Sequence, residues 1–191
     1  MRLFQSFCLN ITSLHFNCAS LFLRVVGYYE FWSSRRGCNT VWPEQIKLGV
    51  YSHINFAFAT IHPKTYEVLP ANEWDVPLYK HPADLKQYDP NLKVMIVLGG
   101  WTFNDPGPAA TLFFDLAASE EKQKKFVKSV SFMSTCDFDG VNLDWEYPEA
   151  SDWSGRPADY DNFPRFTVNL KSSLDKTPGR SKLSITLPAL Y

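Results

Sequence analysis

The sequence is poor in cysteine and has no excess of basic residues, and both features exclude large classes of protein. Its 4 cysteines in 191 residues, Cys8, Cys18, Cys38 and Cys136, include no close pair of the zinc-binding type and are too sparse for a disulfide scaffold. We therefore predict no metal site and assign no disulfide. The 19 Lys and Arg residues are balanced by 20 Asp and Glu, which gives a net charge of -1. Without a basic excess we expect no nucleic-acid partner.

Two further absences narrow the function. No glycine-rich phosphate loop follows the first predicted strand, which argues against a dinucleotide-binding domain, so we expect no cofactor. The most apolar stretch, residues 1–23, is interrupted by polar residues and is too polar for a membrane span, so we expect no membrane partner. We treat residues 1–23 as a leader of uncertain nature. It is a poor signal peptide, a targeting segment, or sequence unrelated to the domain that follows.

From Arg24 onward, apolar strands alternate with helical patterns. A parallel sheet with right-handed crossovers follows from that order, so the fold class is α/β. Residues 60–81 contain three prolines and are expected to form an insertion over the surface. The predicted strands cover residues 25–29, 51–59, 93–98, 138–147 and 182–187. The predicted helices cover residues 43–46, 83–88, a segment capped by Ser119, and a stripe from Phe163 to Leu174.

The fourth predicted strand carries the residues most suited to chemistry. It alternates polar Asn142, Asp144 and Glu146 with three apolar residues, so the polar set shares one face. Two carboxylates two residues apart on one face have Cα atoms roughly 7 Å apart, and burial of both as charges is expensive. One carboxyl with a raised pKa beside an ionised one suits acid catalysis. The pair also lies at the carboxyl end of the strand, which is the active-site face of a parallel barrel.

Residues 139–146 (DGVNLDWE) resemble the signature of the family 18 glycoside hydrolases, in which four acidic residues follow the pattern D-x-x-D-x-D-x-E. This resemblance implies the N-terminal part, about five βα units, of an incomplete (β/α)8 TIM barrel. Residues 154–159 resemble the fungal chitinases related to killer-toxin subunits. Further pieces that match in order and spacing are residues 27–32, 54–59, 99–101 and 183–189.

The resemblance also implies roles for individual residues. Glu146 would protonate the glycosidic oxygen, Asp144 would hold and orient the N-acetyl group that attacks the anomeric carbon, and Asp139 would support the acidic network from the strand entry. The substrate would be chitin or a chitooligosaccharide, and the protein would be secreted. The residues that would line the sugar subsites are Tyr28, Phe58, Gly100, Trp101 and Tyr147.

Three departures from the family pattern lead us to expect weakened chemistry. Asn142 replaces an aspartate and cannot take up a proton, although it can donate a hydrogen bond to Asp144. Val97 replaces a serine. The chain stops after the fifth predicted strand, whereas a full barrel needs about 250 residues.

We therefore expect residues 24–191 to be a partial catalytic domain, and expect the chain alone to aggregate or to lack measurable activity. Three alternatives to a chitinase remain open: a non-catalytic chitin-binding lectin, an inactive remnant, and an endoglycosidase that acts on N-glycans.

Overall fold

The computed structural model describes residues 24–130, 135–151, 155–179 and 182–188. The leader at residues 1–23 lies outside these ranges, as do Cys8 and Cys18. Of the other two cysteines, Cys38 is exposed, Cys136 is buried, and both are free thiols. No helix within the described ranges has both the length and the apolar character needed to span a bilayer.

The structure is built on one six-stranded sheet. Five strands run parallel in the order β1-β2-β4-β5-β6, and the short β3 pairs antiparallel with the end of β2. This confirms the α/β class and the parallel sheet. The strands are β1 Val26–Glu30, β2 His53–Ile61, β3 Val68–Pro70, β4 Lys93–Gly99, β5 Gly140–Asp144 and β6 Lys182–Ile185.

Helices connect the strands on the outer side of the sheet. Ser119 caps α3 as predicted, because its side chain accepts a hydrogen bond from the Lys122 N–H at 3.4 Å. The predicted segment at 43–46 is a 3-10 turn over Pro43–Gln45. The helices are α1 Lys80–Asp84, α2 Leu112–Ala117, α3 Glu120–Ser129 and α4 Asp159–Leu174.

The hydrophobic core lies between the sheet and these helices. Alternate strand residues such as Phe56, Ile96 and Leu143 point outward and are fully buried. Trp145 is 1% exposed; its ring stacks on Phe113 at 5.5 Å and meets other aromatic rings of α2 and α4 edge-on. The apolar face predicted for the fourth strand therefore anchors that strand in the core.

The sheet is strongly curved. The Tyr28 hydroxyl on β1 lies 3.1 Å from the Thr186 hydroxyl just beyond β6. Four strand spacings separate these edge strands, which in a flat sheet is about 19 Å and too far for the two side chains to span. Because the sheet curves, its inner face becomes a concave wall on which polar side chains from both edges meet, as in part of a barrel.

Two details of the sequence prediction were wrong. The fourth strand ends at Asp144, so residues 145–147 follow the strand instead of extending it. Residues 60–81 do not form a surface insertion alone. They include β3 and bring Val68, Leu78 and the fully buried Tyr79 into the core, where the Tyr79 hydroxyl donates to the Phe58 carbonyl at 2.8 Å.

Candidate active site

The site is built around the carboxyl end of β5. Asp144 is the last residue of the strand and is 4% exposed, whereas Glu146 is two residues beyond and half-buried. Trp145 between them points into the core, so the alternation of the strand continues far enough to turn both carboxyls to the inner face. Among the described residues, neither carboxyl forms an ion pair with a Lys, Arg or His side chain.

Asp144 is the carboxyl that holds a proton. Burial raises its pKa to about 7, and both the negative charge of Glu146 and a hydrogen bond between the two carboxyls add to the rise. The Thr186 hydroxyl opposes the rise because it hydrogen-bonds the carboxyl. One Asp144 oxygen, Oδ1, has no hydrogen-bond partner among the described residues. The pair therefore carries a proton near neutral pH and leaves one buried acceptor aimed at the inner side of the sheet.

Asn142 bonds residues of both sheet edges. Its Nδ2 donates to the Ser184 Oγ at 2.9 Å. Its Oδ1 accepts from the hydroxyls of Tyr28 and Thr186, each at 3.3 Å. Asn142 thus joins β5 to β1 and β6 across the curved sheet. Val97 is the register partner of Asn142 on β4 and is fully buried. Because valine has no hydroxyl, this position adds no hydrogen bond to the network.

Two glycines allow β4 to end close against Asp144. Gly99 has φ 109°, and a Cβ there would lie 2.2 Å from the Asp144 carbonyl oxygen. The next residue, Gly100, has φ 97°, and its N–H donates to that same oxygen at 2.8 Å. A side chain on Gly100 would also meet the Phe58 ring at 2.7 Å. Both positions need glycine because of the backbone conformation and the close packing, and together they fix the position of Asp144.

Asp139 is not brought together with the other acidic residues. Its carboxylate accepts from the Val94 N–H at 2.8 Å and lies 3.3 Å from the Lys86 Nζ, at the opposite end of β5. Asp144 is five residue steps further along the strand, which is roughly 16 Å. Asp139 therefore joins the starts of β4 and β5 to the segment that follows α1.

The expected sugar-binding aromatics are placed at the same end of the sheet as Glu146. Trp101 follows Gly100 and is 58% exposed, although large apolar side chains are usually buried. Phe58 is half-buried and stacks on Trp32 with ring centroids 6.0 Å apart. Tyr147 is half-buried directly after Glu146. Tyr28 differs from these three, because its hydroxyl is engaged with Asn142 and Thr186 inside the sheet.

Within the described ranges, no three His, Cys, Asp or Glu side chains are grouped in a way that would hold a metal ion. What the arrangement offers is a carboxyl pair with one proton at the carboxyl end of a parallel strand, with Asp144 buried, Glu146 half-buried, and the exposed Trp101 ring at the same end of the sheet.

The family model of the glycosyl hydrolases family 18 matches residues 24–191. The chain belongs to this family. Asp139, Asn142, Asp144 and Glu146 stand at the four acidic positions of the D-x-x-D-x-D-x-E pattern, and three of these four residues are acidic.

Several relatives of known sequence and structure are named chitinases. The chain is 34% identical over 174 residues to a protein named "Probable chitinase LysM18" from Penicillium expansum, and 28% identical over 170 residues to an endochitinase of Manduca sexta. The solved catalytic domain 2 of the Ostrinia furnacalis Group II chitinase has a TM-score of 0.75 at 28% identity. A mutant of that domain has been solved in complex with (NAG)5.

This family 18 chain is much shorter than its relatives. The matches cover 88%, 86% and 85% of this chain respectively, but only 12% of the Penicillium protein, 30% of the Manduca protein and 42% of the Ostrinia domain. The similarity to TIM-barrel chitinases is therefore a similarity to part of the barrel, in agreement with the five parallel strands.

Sequence reasoning missed three residues of the site. Ser184 in β6 and Thr186 just beyond it alternate with apolar neighbours in the same way that Asn142 and Asp144 do along β5, so the same pattern could have revealed them. Asp159 is 1% exposed, and its Oδ2 accepts from the N–H groups of Glu149 at 3.4 Å and Arg156 at 2.7 Å. It holds the loop that follows Tyr147, and no local pattern marks it for that task.

Proposed function

We propose that residues 24–191 form part of a catalytic domain that hydrolyses the β-1,4 linkages between N-acetylglucosamine units of chitin. The observation that carries this proposal is the carboxyl pair of Asp144 and Glu146, which keeps one proton near neutral pH at the active-site end of β5. The family membership and the chitinases among the relatives support the same reaction.

The first step transfers a proton to the leaving group. Asp144 passes its proton to Glu146 when its own carboxyl accepts a hydrogen bond from the acetamido N–H of the sugar. Glu146 then donates the proton to the glycosidic oxygen as the bond from that oxygen to the anomeric carbon breaks. The acetamido carbonyl oxygen forms a new bond to the same carbon, and the ionised Asp144 stabilises the positive charge of the resulting ring.

The second step uses water. The Glu146 carboxylate removes a proton from a water molecule, whose oxygen attacks the anomeric carbon and releases the acetamido oxygen. The configuration at that carbon is retained, because two displacements have occurred. The unpartnered Oδ1 of Asp144 supports this role, since it is a buried acceptor that the acetamido N–H would satisfy.

Aromatic rings would hold the chain of sugars. Trp101 presents a broad exposed face at the mouth of the site, and flat sugar faces stack on such rings. Phe58 and Tyr147 lie at the same end of the sheet, and Trp32 extends the surface through its contact with Phe58. One relative of the chain is named a secreted chitinase, and we propose that this protein also acts outside the cell.

Replacement of the proposed acid tests the function. Glu146→Gln keeps the size of the side chain but cannot donate the proton as a carboxylic acid does, so the rate of chitooligosaccharide hydrolysis should fall by at least about 100-fold. Glu149→Gln is the matched control, because Glu149 is an exposed glutamate only three residues away, and this change should leave the rate unaltered. A measurable rate in the parent chain that Glu146→Gln leaves unchanged would contradict the assignment of the acid.

Binding of chitin without cleavage is the second candidate. Asn142 favours it, because an amide in the polar network next to Asp144 cannot exchange protons with the carboxyl pair. Measurements of retention on chitin beads and of sugar release on the same preparation separate the two candidates. Retention that depends on Trp101, with no sugar released at any pH, would favour the binding protein.

A further inference from the structure

Three oxygen atoms, from β1, from β5 and from the residue just beyond β6, form a triangle beside Asp144. The Tyr28 hydroxyl is 3.1 Å from the Thr186 hydroxyl, and each hydroxyl is 3.3 Å from the Asn142 Oδ1. The Thr186 hydroxyl also hydrogen-bonds the Asp144 carboxyl. Thr186 is thus the one member of the triangle with contacts to both the amide and the carboxyl.

The orientation of the Asn142 amide fixes which atom enters the triangle. Its Nδ2 donates to Ser184 at 2.9 Å, which leaves Oδ1 turned toward the two hydroxyls. An amide oxygen only accepts hydrogen bonds, whereas each hydroxyl has one proton to donate. The Asn55 side chain also hydrogen-bonds the Tyr28 hydroxyl and, because it lowers the pKa of Tyr28, acts there as a donor. The two hydroxyl protons therefore serve three possible acceptors around the triangle: the Asn142 oxygen, the Thr186 oxygen and the Asp144 carboxylate.

These constraints permit two arrangements of the protons. In one, Tyr28 donates to Thr186 and Thr186 donates to Asn142, which leaves a protonated Asp144 with no need of a donor. In the other, Tyr28 donates directly to Asn142, and Thr186 turns its proton to an ionised Asp144. The Asn142 oxygen is satisfied in both, and no heavy atom has to move, because only the two O–H bonds rotate.

We propose that Thr186 and Tyr28 form a hydroxyl relay that gives Asp144 a hydrogen bond when its carboxyl loses its proton and withdraws it when the proton returns. Thr186 acts here as a positioning residue, since it works through Asp144. The relay rests on the proposed function for its purpose, because the proposed first step ionises Asp144.

The surroundings of Asp144 leave this task to the two hydroxyls. Asn142 cannot take the proton, Val97 has no hydroxyl, and Gly99, the register partner of Asp144 on β4, has no side chain. The titratable groups near Asp144 are Glu146 and Tyr28. The negative charge of Glu146 opposes the ionisation of Asp144, and Tyr28 is neutral. Burial and the nearby Asp144 charge raise the pKa of Tyr28, so its hydroxyl keeps its proton for the relay.

Titration of the Asp144 carboxyl carbon by 13C NMR tests the relay without any need for enzymatic activity. Asp144→Asn assigns the signal, and spectra of the full chain are recorded from about pH 4 to about pH 9. Thr186→Val keeps the shape of the side chain and removes the hydroxyl, so the midpoint should rise by about one pH unit, a tenfold gain in proton affinity. Thr186→Ser should restore the parent midpoint.

A double-variant comparison separates a relay from two independent hydrogen bonds. Tyr28→Phe should also raise the midpoint in the parent chain, because an ionised Asp144 then draws Thr186 away from Asn142 with no replacement donor. In the Thr186→Val background the same change should have no effect, since Tyr28 already donates to Asn142 in both states.

The control and the contrary outcomes are specific. Thr167→Val removes a hydroxyl that bonds a backbone carbonyl within α4, and it should leave the midpoint unchanged. Thr186→Ala also removes the hydroxyl, but without keeping the shape of the side chain, and it must raise the midpoint as Thr186→Val does. Unchanged midpoints in both Thr186 variants, or equal Tyr28→Phe shifts in the two backgrounds, would overturn the relay. Because the readout is a carboxyl titration, a chain that binds chitin without cleaving it still gives a clear result.

Discussion

At the scale of single residues, the site depends on how one buried carboxyl is solvated. Asp144 lies inside the sheet with no cation beside it among the described residues, so its charged form is disfavoured and its pKa rises to about 7. The burial that keeps a proton on Asp144 also raises the free energy of its ionised form. This cost should be visible in the stability of the fold, independently of any substrate.

The pH dependence of stability follows from that pKa. A group whose pKa is about 7 in the folded chain and 3.8 as an ordinary value stabilises the fold fully below about pH 4 and loses this contribution as the pH rises through 7. Between these values the free energy of unfolding should fall by up to about 1.4 kcal/mol per pH unit from this group. Urea unfolding followed by tryptophan fluorescence at several pH values measures it.

Asp144→Asn should flatten this pH dependence, because an amide has no proton to lose. Asp161→Asn, at an exposed aspartate of α4, is the control and should leave the slope as it is in the parent chain. The same slope in Asp144→Asn and in the parent chain would show that Asp144 ionises at its ordinary pKa.

At the scale of elements, the junction of β4 and β5 sets the geometry of the site. Gly99 and Gly100 let the β4 backbone touch the Asp144 carbonyl, and Gly99 has a φ that other residues rarely adopt. Gly99→Ala should lower the free energy of unfolding by more than about 2 kcal/mol, since both backbone strain and a clash with backbone atoms result. Thermal or urea unfolding of the variant measures the loss.

Gly107→Ala is the matched control for this junction. A Cβ at Gly107 meets only the Asp105 carbonyl oxygen, at an ordinary 3.8 Å, so stability should change by less than about 0.5 kcal/mol. Similar losses for the two alanine variants would mean that the close approach of β4 to Asp144 is not what requires glycine.

The elements also show how far sequence reasoning can go. The alternation of polar and apolar residues along β5 was enough to predict that Asn142, Asp144 and Glu146 share the inner face and that Trp145 packs outward. It could not predict that Tyr28 meets Thr186, because that contact depends on the curvature accumulated over five strands. Nor could the alternation predict the partners of Asp139. Its carboxylate contacts Lys86 and Val94 at the other end of the strand from the acidic pair.

At the scale of the whole molecule, the curved sheet has two edges. Within the described residues, β1 pairs only with β2, and β6 pairs only with β5. In a closed barrel no strand has a free edge, whereas no described strand pairs with the outer backbone groups of β1 or of β6. The inward-facing polar side chains do not shield these edges from another chain, because they hydrogen-bond one another on the inner face of the sheet.

We expect the 191-residue chain by itself to associate through these edges. Sedimentation velocity over a dilution series should show species larger than the monomer that decline on dilution. Leu187→Lys should weaken the association, because it adds a charge directly beyond β6, where Leu187 is 65% exposed. Val168→Lys is the matched control at 66% exposure on α4, away from both edges, and should leave association unchanged. A monomeric chain that cleaves chitin would refute this expectation, because it would show that five parallel strands complete a working site without closing a barrel.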